Sequence, residues 1–94
     1  MRQGIIMTKL KIIREGDTKP TLEEMQAFVG GRIEIVRLSD GDHLVINEEG
    51  LLDGLPVNFD ATAVWWCDLG DDVVKEHSVP PLVGDIMLVH GGIE

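Results

Sequence analysis

The chain lacks tyrosine altogether, and its aromatic side chains are Phe28, Phe59, Trp65 and Trp66. Cysteine occurs once, at Cys67. No intrachain disulfide can form from one thiol, and a single cysteine suits a reducing compartment. Cys67 follows two tryptophans in an apolar stretch with no activating neighbour in sequence, so it reads as an inert, largely buried thiol. Basic residues are scarce, eight against seventeen acidic ones, for a net charge of −9. They are also unevenly placed. Residues 1–37 hold seven basic and five acidic side chains, a sum of +2; residues 38–94 hold Lys75 against twelve acids, a sum of −11. Too few cations remain to displace phosphate counterions, so nucleic acid is not an expected partner. An anionic membrane surface is excluded on the same ground.

Long apolar runs are missing too. Nothing approaches the ~20 residues of a membrane span, and Ile5-Ile6-Met7 is too short for a signal-peptide core. The expected location is therefore the cytoplasm. The fingerprints of common chemistry are absent from the sequence: no G-x-G-x-x-G, no G-x-x-x-x-G-K, no G-x-S-x-G and no close-spaced Cys and His pairs. His43, His77 and His90 fall on three separate elements. No catalytic residue, metal site or cofactor is expected, and the chain reads as a non-enzyme.

What is present is enough for one domain. Ninety-four residues at 44% apolar content allow a packed core. Residues 1–8 read as an N-terminal extension, with Met7 an alternative start, and residues 9–94 as a single α+β domain. TKLKIIR (8–14) has strand character. Thr21 and Glu24 form a capping-box pattern opening a short helix, with Leu22, Met25, Phe28 and Val29 on one face and Gly30-Gly31 ending it. RIEIVRL (32–38) and HLVIN (43–47) flank Asp40-Gly41, a hairpin signal. A two-residue turn there pairs Leu38 with His43 and Glu34 with Asn47, placing the last two on one face. Residues 48–58 read as an irregular connection. Asn58 or Asp60 caps a second helix that ends at Gly70, residues 70–81 read as a loop, and LVGDIMLVH (82–90) as the last strand. The order β-α-β-β-α-β matches a ferredoxin-like antiparallel sheet with both helices on one face; an irregular α+β roll is the alternative.

The carboxylate pairs Glu23-Glu24, Glu48-Glu49 and Asp71-Asp72 read as solvated faces and caps, because adjacent residues on a helix or strand point apart. On a helix, Trp65 and Trp66 diverge by about 100°. One then packs into the core, leaving the other at least partly exposed to stack on a base or anchor a partner.

One combination of motifs is specific. Leu22, Gln26, Val29-Gly30-Gly31, Ile33-Glu34, Asn47-Glu48-Glu49-Gly50, Leu55-Pro56, Asn58, Ala61-Thr62 and Val83-Gly84-Asp85 together resemble a family of small domains of unknown function from phages, prophages and other bacterial mobile elements. The likeness covers residues 9–90, with Arg32 standing where the family often has an aromatic residue. It implies an accessory protein of a phage or mobile element, acting against host defence.

Among the motif residues, the apolar ones suit a core and the glycines suit turns. Glu34, Asn47, Glu48 and Asn58 remain as candidate ligand- or partner-binding residues, with Trp66 as the exposed indole. The structural alternative has Asn47 and Asn58 capping loops and Glu34 accepting loop N–H bonds. Two readings of function follow. In the first, the acidic surface engages a host protein, DNA mimicry being one version. In the second, Glu34, Asn47, Asn58 and a tryptophan capture a small molecule such as a nucleotide signal. A homo-oligomer could supply the arginines that such a ligand requires.

Overall fold

The computed structural model describes residues 7–93, so most of the expected N-terminal extension, residues 1–6, lies outside the described residues. The elements are β1 (Leu10–Ile13), α1 (Leu22–Val29), β2 (Ile33–Arg37), β3 (His43–Asn47), α2 (Phe59–Leu69), α3 (Asp71–His77) and β4 (Ile86–Val89). The class is α+β, as expected. No helix among the described residues is long and apolar enough to cross a membrane.

Local chemistry explains most boundaries. Thr21 Oγ1 accepts the Glu24 N–H at 3.1 Å, and Glu24 Oε1 accepts the Thr21 N–H at 2.8 Å, closing the capping box that starts α1. Gly30 ends the helix in the left-handed region at φ 85°. Asn58 caps α2 by accepting the Ala61 N–H at 3.0 Å. The segment expected as a loop instead forms α3, which begins directly at the end of α2. Asp71 and Asp72 lie in its first turn and Lys75 and His77 in its last, the charge order that the helix dipole favours. Because α3 buries no residue, it has no apolar stripe to betray it.

The sheet runs in the order β1-β4-β3-β2. β1 pairs parallel with β4, while β4–β3 and β3–β2 are antiparallel. This departs from the ferredoxin-like option, which is fully antiparallel and seats the first strand centrally. Every residue of β4 is buried, whereas β1 and β2 are partly exposed, so the most apolar strand takes a central place and the two amphipathic ones become edges.

The helices also divide between the two faces of the sheet. On one, Met25 and Val29 of α1 pack with Ile13, Val45, Met87 and Val89. On the other, Ala61, Val64 and Trp65 of α2 pack with Leu44, Ile86 and Leu88. Successive strand residues point to opposite faces, so the alternation of these two sets places α1 and α2 on opposite sides. β3 and β4 are sandwiched between them, which is why their sequences are apolar runs rather than alternations.

The β2–β3 hairpin has a different register from the expected one. Gly41 N–H donates to Leu38 O at 3.1 Å and Leu38 N–H to Asp42 O at 2.9 Å, with Gly41 at φ 93°. This is a three-residue loop closed by a left-handed glycine, not a two-residue turn. Arg37 therefore faces His43, and Glu34 faces Ile46.

Candidate functional site

That one-residue shift decides where the candidate residues point. Opposite neighbours share a face. Glu34 lies across from Ile46 and belongs to the α2 face; Asn47 lies across from Ile33 and belongs to the α1 face. The two are therefore not directly opposed as predicted, although both line the groove described below.

Asn47 is buried and bonded at both ends of its carboxamide. Its Nδ2 donates to Val29 O at 3.1 Å, satisfying a terminal carbonyl of α1, and its Oδ1 accepts the Glu49 N–H at 2.8 Å. Asn58 is buried more deeply and joins three segments. Besides capping α2, its Nδ2 donates to Lys9 O at 3.0 Å and to Gly84 O at 2.9 Å. Both asparagines thus make bonds that hold the fold together, Asn58 using both of its N–H donors within the chain. The Val-Gly-Asp motif has the same character. Gly84 sits at φ 81°, and a Cβ there would meet Leu55 Cδ1 at 2.8 Å. Asp85 accepts the Lys9 N–H at 2.9 Å, locking β1 beside the entry to β4.

Glu34 and Glu48 remain exposed, and they border a groove on the α2 face. Its volume is about 210 Å³. Val36 and Ile46 of the sheet, Trp65 of α2 and Leu82 of the segment before β4 form its walls, with Pro80-Pro81 and Leu51 at its margins. Leu51 is 61% exposed. Arg32 stands 3.6 Å from Glu48, a solvated ion pair of little energetic weight. The tryptophan in the groove is Trp65, not the expected Trp66. Trp66 turns toward the chain after α3, with its indole N–H 3.4 Å from Pro80 O. The sequence held a clue: Ala61, Val64 and Trp65 are spaced i, i+3, i+4, which is one helical stripe. Cys67, expected to be largely buried, is exposed because it falls off that stripe.

α2 is held over the sheet at both ends. Asn58 anchors its start; near its end, Asp68 accepts from Ser39 Oγ at 2.6 Å and from Ser39 N–H at 3.1 Å. Thr62 fixes the groove wall, its Oγ1 accepting the Leu82 N–H at 2.9 Å. The groove is therefore built on braced elements.

A second polar cluster lies at the end of the sheet where the β2–β3 turn meets the end of β4. Asp42 Oδ2 is 2.8 Å from His90 Nδ1, and Asp42 Oδ1 accepts the Gly91 N–H at 2.9 Å. The Gly91 N–H holds the Asp42 carboxyl below its ordinary range; burial opposes this, and His90 adds to the lowering. His43 Nδ1 accepts the Ile93 N–H at 3.2 Å, and Lys19 Nζ donates to His90 O at 3.0 Å and to Gly92 O. These bonds clamp the chain after β4 to the hairpin turn. Among the described residues no group of three or more His, Cys, Asp or Glu side chains is placed to hold a metal ion.

No curated protein and no solved structure matches the chain. The likeness seen in its motifs has a counterpart in a family model: the domain of unknown function DUF3846 matches residues 1–93, and the chain belongs to that family.

Proposed function

We propose that the chain is a non-enzymatic accessory binding protein of a phage or mobile element, working in the cytoplasm against host defence, and that its groove takes a basic, partly apolar segment of a host protein. The observation that carries this reading is the make-up of the groove. Its walls are mostly apolar, carboxylates of Glu34 and Glu48 border it, and among the described residues no Lys or Arg lines it. The chain as a whole carries a net charge of −9. Such a surface attracts cations over a distance and repels phosphates. The mobile-element setting rests on the motif resemblance alone.

Nucleotide capture, the other reading, is less well supported. About 210 Å³ falls short of the roughly 300–1,000 Å³ of most small-molecule sites, and the bordering charge has the wrong sign for phosphate. Asn58, which it required, does not line the groove, and the Asn47 side chain bonds Val29 O and the Glu49 N–H.

The test is a calorimetric titration with a blocked nonapeptide, Thr-Lys-Thr-Val-Thr-Lys-Thr-Val-Thr, at two salt concentrations. Binding is expected to weaken with salt and to fall at least tenfold in a Glu34→Gln, Glu48→Gln double variant. Equal binding by the double variant would sink the reading. A thermal-shift screen against nucleotides is expected to show no change; a rise of several degrees would favour the alternative.

A further inference from the structure

The groove opens beside a sheet edge that is unpaired among the described residues, and the two together define how a segment would lie. Strand order leaves β1 and β2 as edges. On β2, Leu38 N–H donates to Asp42 O and Arg32 O accepts the Glu48 N–H, so Arg32, Glu34, Val36 and Leu38 direct their backbone groups toward β3 and its flanks. Antiparallel ladders alternate, which turns the N–H and C=O of Ile33, Ile35 and Arg37 outward. Within β2 there is no proline, bulge or lysine, the usual guards of an exposed edge. β1, by contrast, carries Lys11 and is preceded by Lys9.

We infer that β2 is a strand-addition site, at which a cationic–apolar segment pairs antiparallel with Ile33, Ile35 and Arg37 and lays alternate side chains over the groove. This rests on the groove reading above and gives it a binding mode. On the groove face, the residue across from Glu34 is Lys or Arg and the residue across from Val36 is apolar, since directly opposed partners interact most strongly. The apolar side chain then reaches the space walled by Ile46, Trp65 and Leu82. Backbone bonds supply affinity and the two groove-face positions supply selection, as in other strand-addition systems. A second copy of the chain is the poorer occupant, because two chains of net charge −9 repel.

The experiment follows the nonapeptide by amide NMR, in three forms: unmodified, N-methylated on its internal threonines, and N-methylated on its lysines and valines. An added antiparallel strand bonds β2 through the residues facing Ile33, Ile35 and Arg37, which here are threonines. Threonine methylation is therefore expected to weaken binding at least tenfold, and lysine and valine methylation to leave it within about twofold. Slowed exchange of the Ile35 amide accompanies binding of the unmodified form. Arg37→Pro deletes one outward N–H at an exposed position and is expected to weaken binding, although it also removes a cation; Arg37→Gln, which removes only the charge, is expected to bind at least as well as native. Equal binding of all three peptides, with shifts at Trp65, overturns strand addition and leaves the groove reading standing. Absence of binding by any form overturns both.

Discussion

The two faces of the sheet carry similar apolar clusters but are closed differently. On the α1 side, Met25 and Val29 press into the sheet, and Asn47 bonds the helix end, so the polar motif residue there becomes part of the scaffold. On the α2 side, the helix rises from Asn58 near β1 and β4 and leaves the β2 border uncovered, so Glu34 faces solvent above an apolar hollow. Two residues from one motif set thus have opposite fates according to strand parity. Polar residues in a specific pattern are as often joints as sites, and the hydrogen-bond inventory separates them.

Substitutions can sharpen or break this contrast. The largest effect is expected at Asn58. Asn58→Ala leaves Gly84 O and the Ala61 N–H without their partner and Lys9 O with its Ile86 bond alone, and is expected to cost about 3 kcal/mol in urea denaturation. Asn47→Ala, with two bonds lost, is expected to cost about 2 kcal/mol. A loss of under 0.5 kcal/mol at either asparagine would return it to the list of binding residues.

Asp42→Asn comes next, at about 1 kcal/mol near pH 7, because an amide oxygen can keep the Gly91 bond but not its ionic strength. The native carboxyl has a lowered folded-state pKa, so its contribution is present above its unfolded value of about 4 and is lost as pH falls through the lower folded value. The gap between native and variant stability should then close in denaturation series below pH 4; a constant gap would contradict the role given to Asp42. The smallest change is expected at Glu34. Glu34→Ala should alter stability by less than about 0.5 kcal/mol while reducing peptide binding, and a large stability loss would make it a scaffold residue like the asparagines.

Much of the local structure could be read from the sequence because its causes are local. Thr21 with Glu24, Gly30, Asn58 and Gly70 mark helix ends through bonds made within a few residues. α3 escaped because it is seven residues long and exposed, leaving no periodicity to detect. The hairpin was visible but its register was not: Asp-Gly suits a two-residue turn, and the three-residue loop is selected by burial of Leu38 and the fit of β3 against β4. Strand order and the division of the helices between faces depend on contacts far apart in sequence, beyond the reach of any local pattern. At the site, Glu34 and Glu48 were legible as candidates, and Trp65 could have been chosen by helical phase. Asn47 and Asn58 became joints through partners in other elements.

The central seat of β4 governs how this molecule is made. β1 has no strand partner until residues 86–89 slide between it and β3, so the first strand must wait for the last. Until then, among the described strands, β2 and β3 alone can pair by short-range closure, with apolar β3 lacking its inner neighbour. Folding then has to close its longest loop, between β1 and β4, before the sheet is complete, a topology associated with slow rather than microsecond folding. During synthesis, the same dependence forbids completion of the sheet before residue 89 has left the ribosome, and until then β1 stays unpaired and β3 keeps one side open.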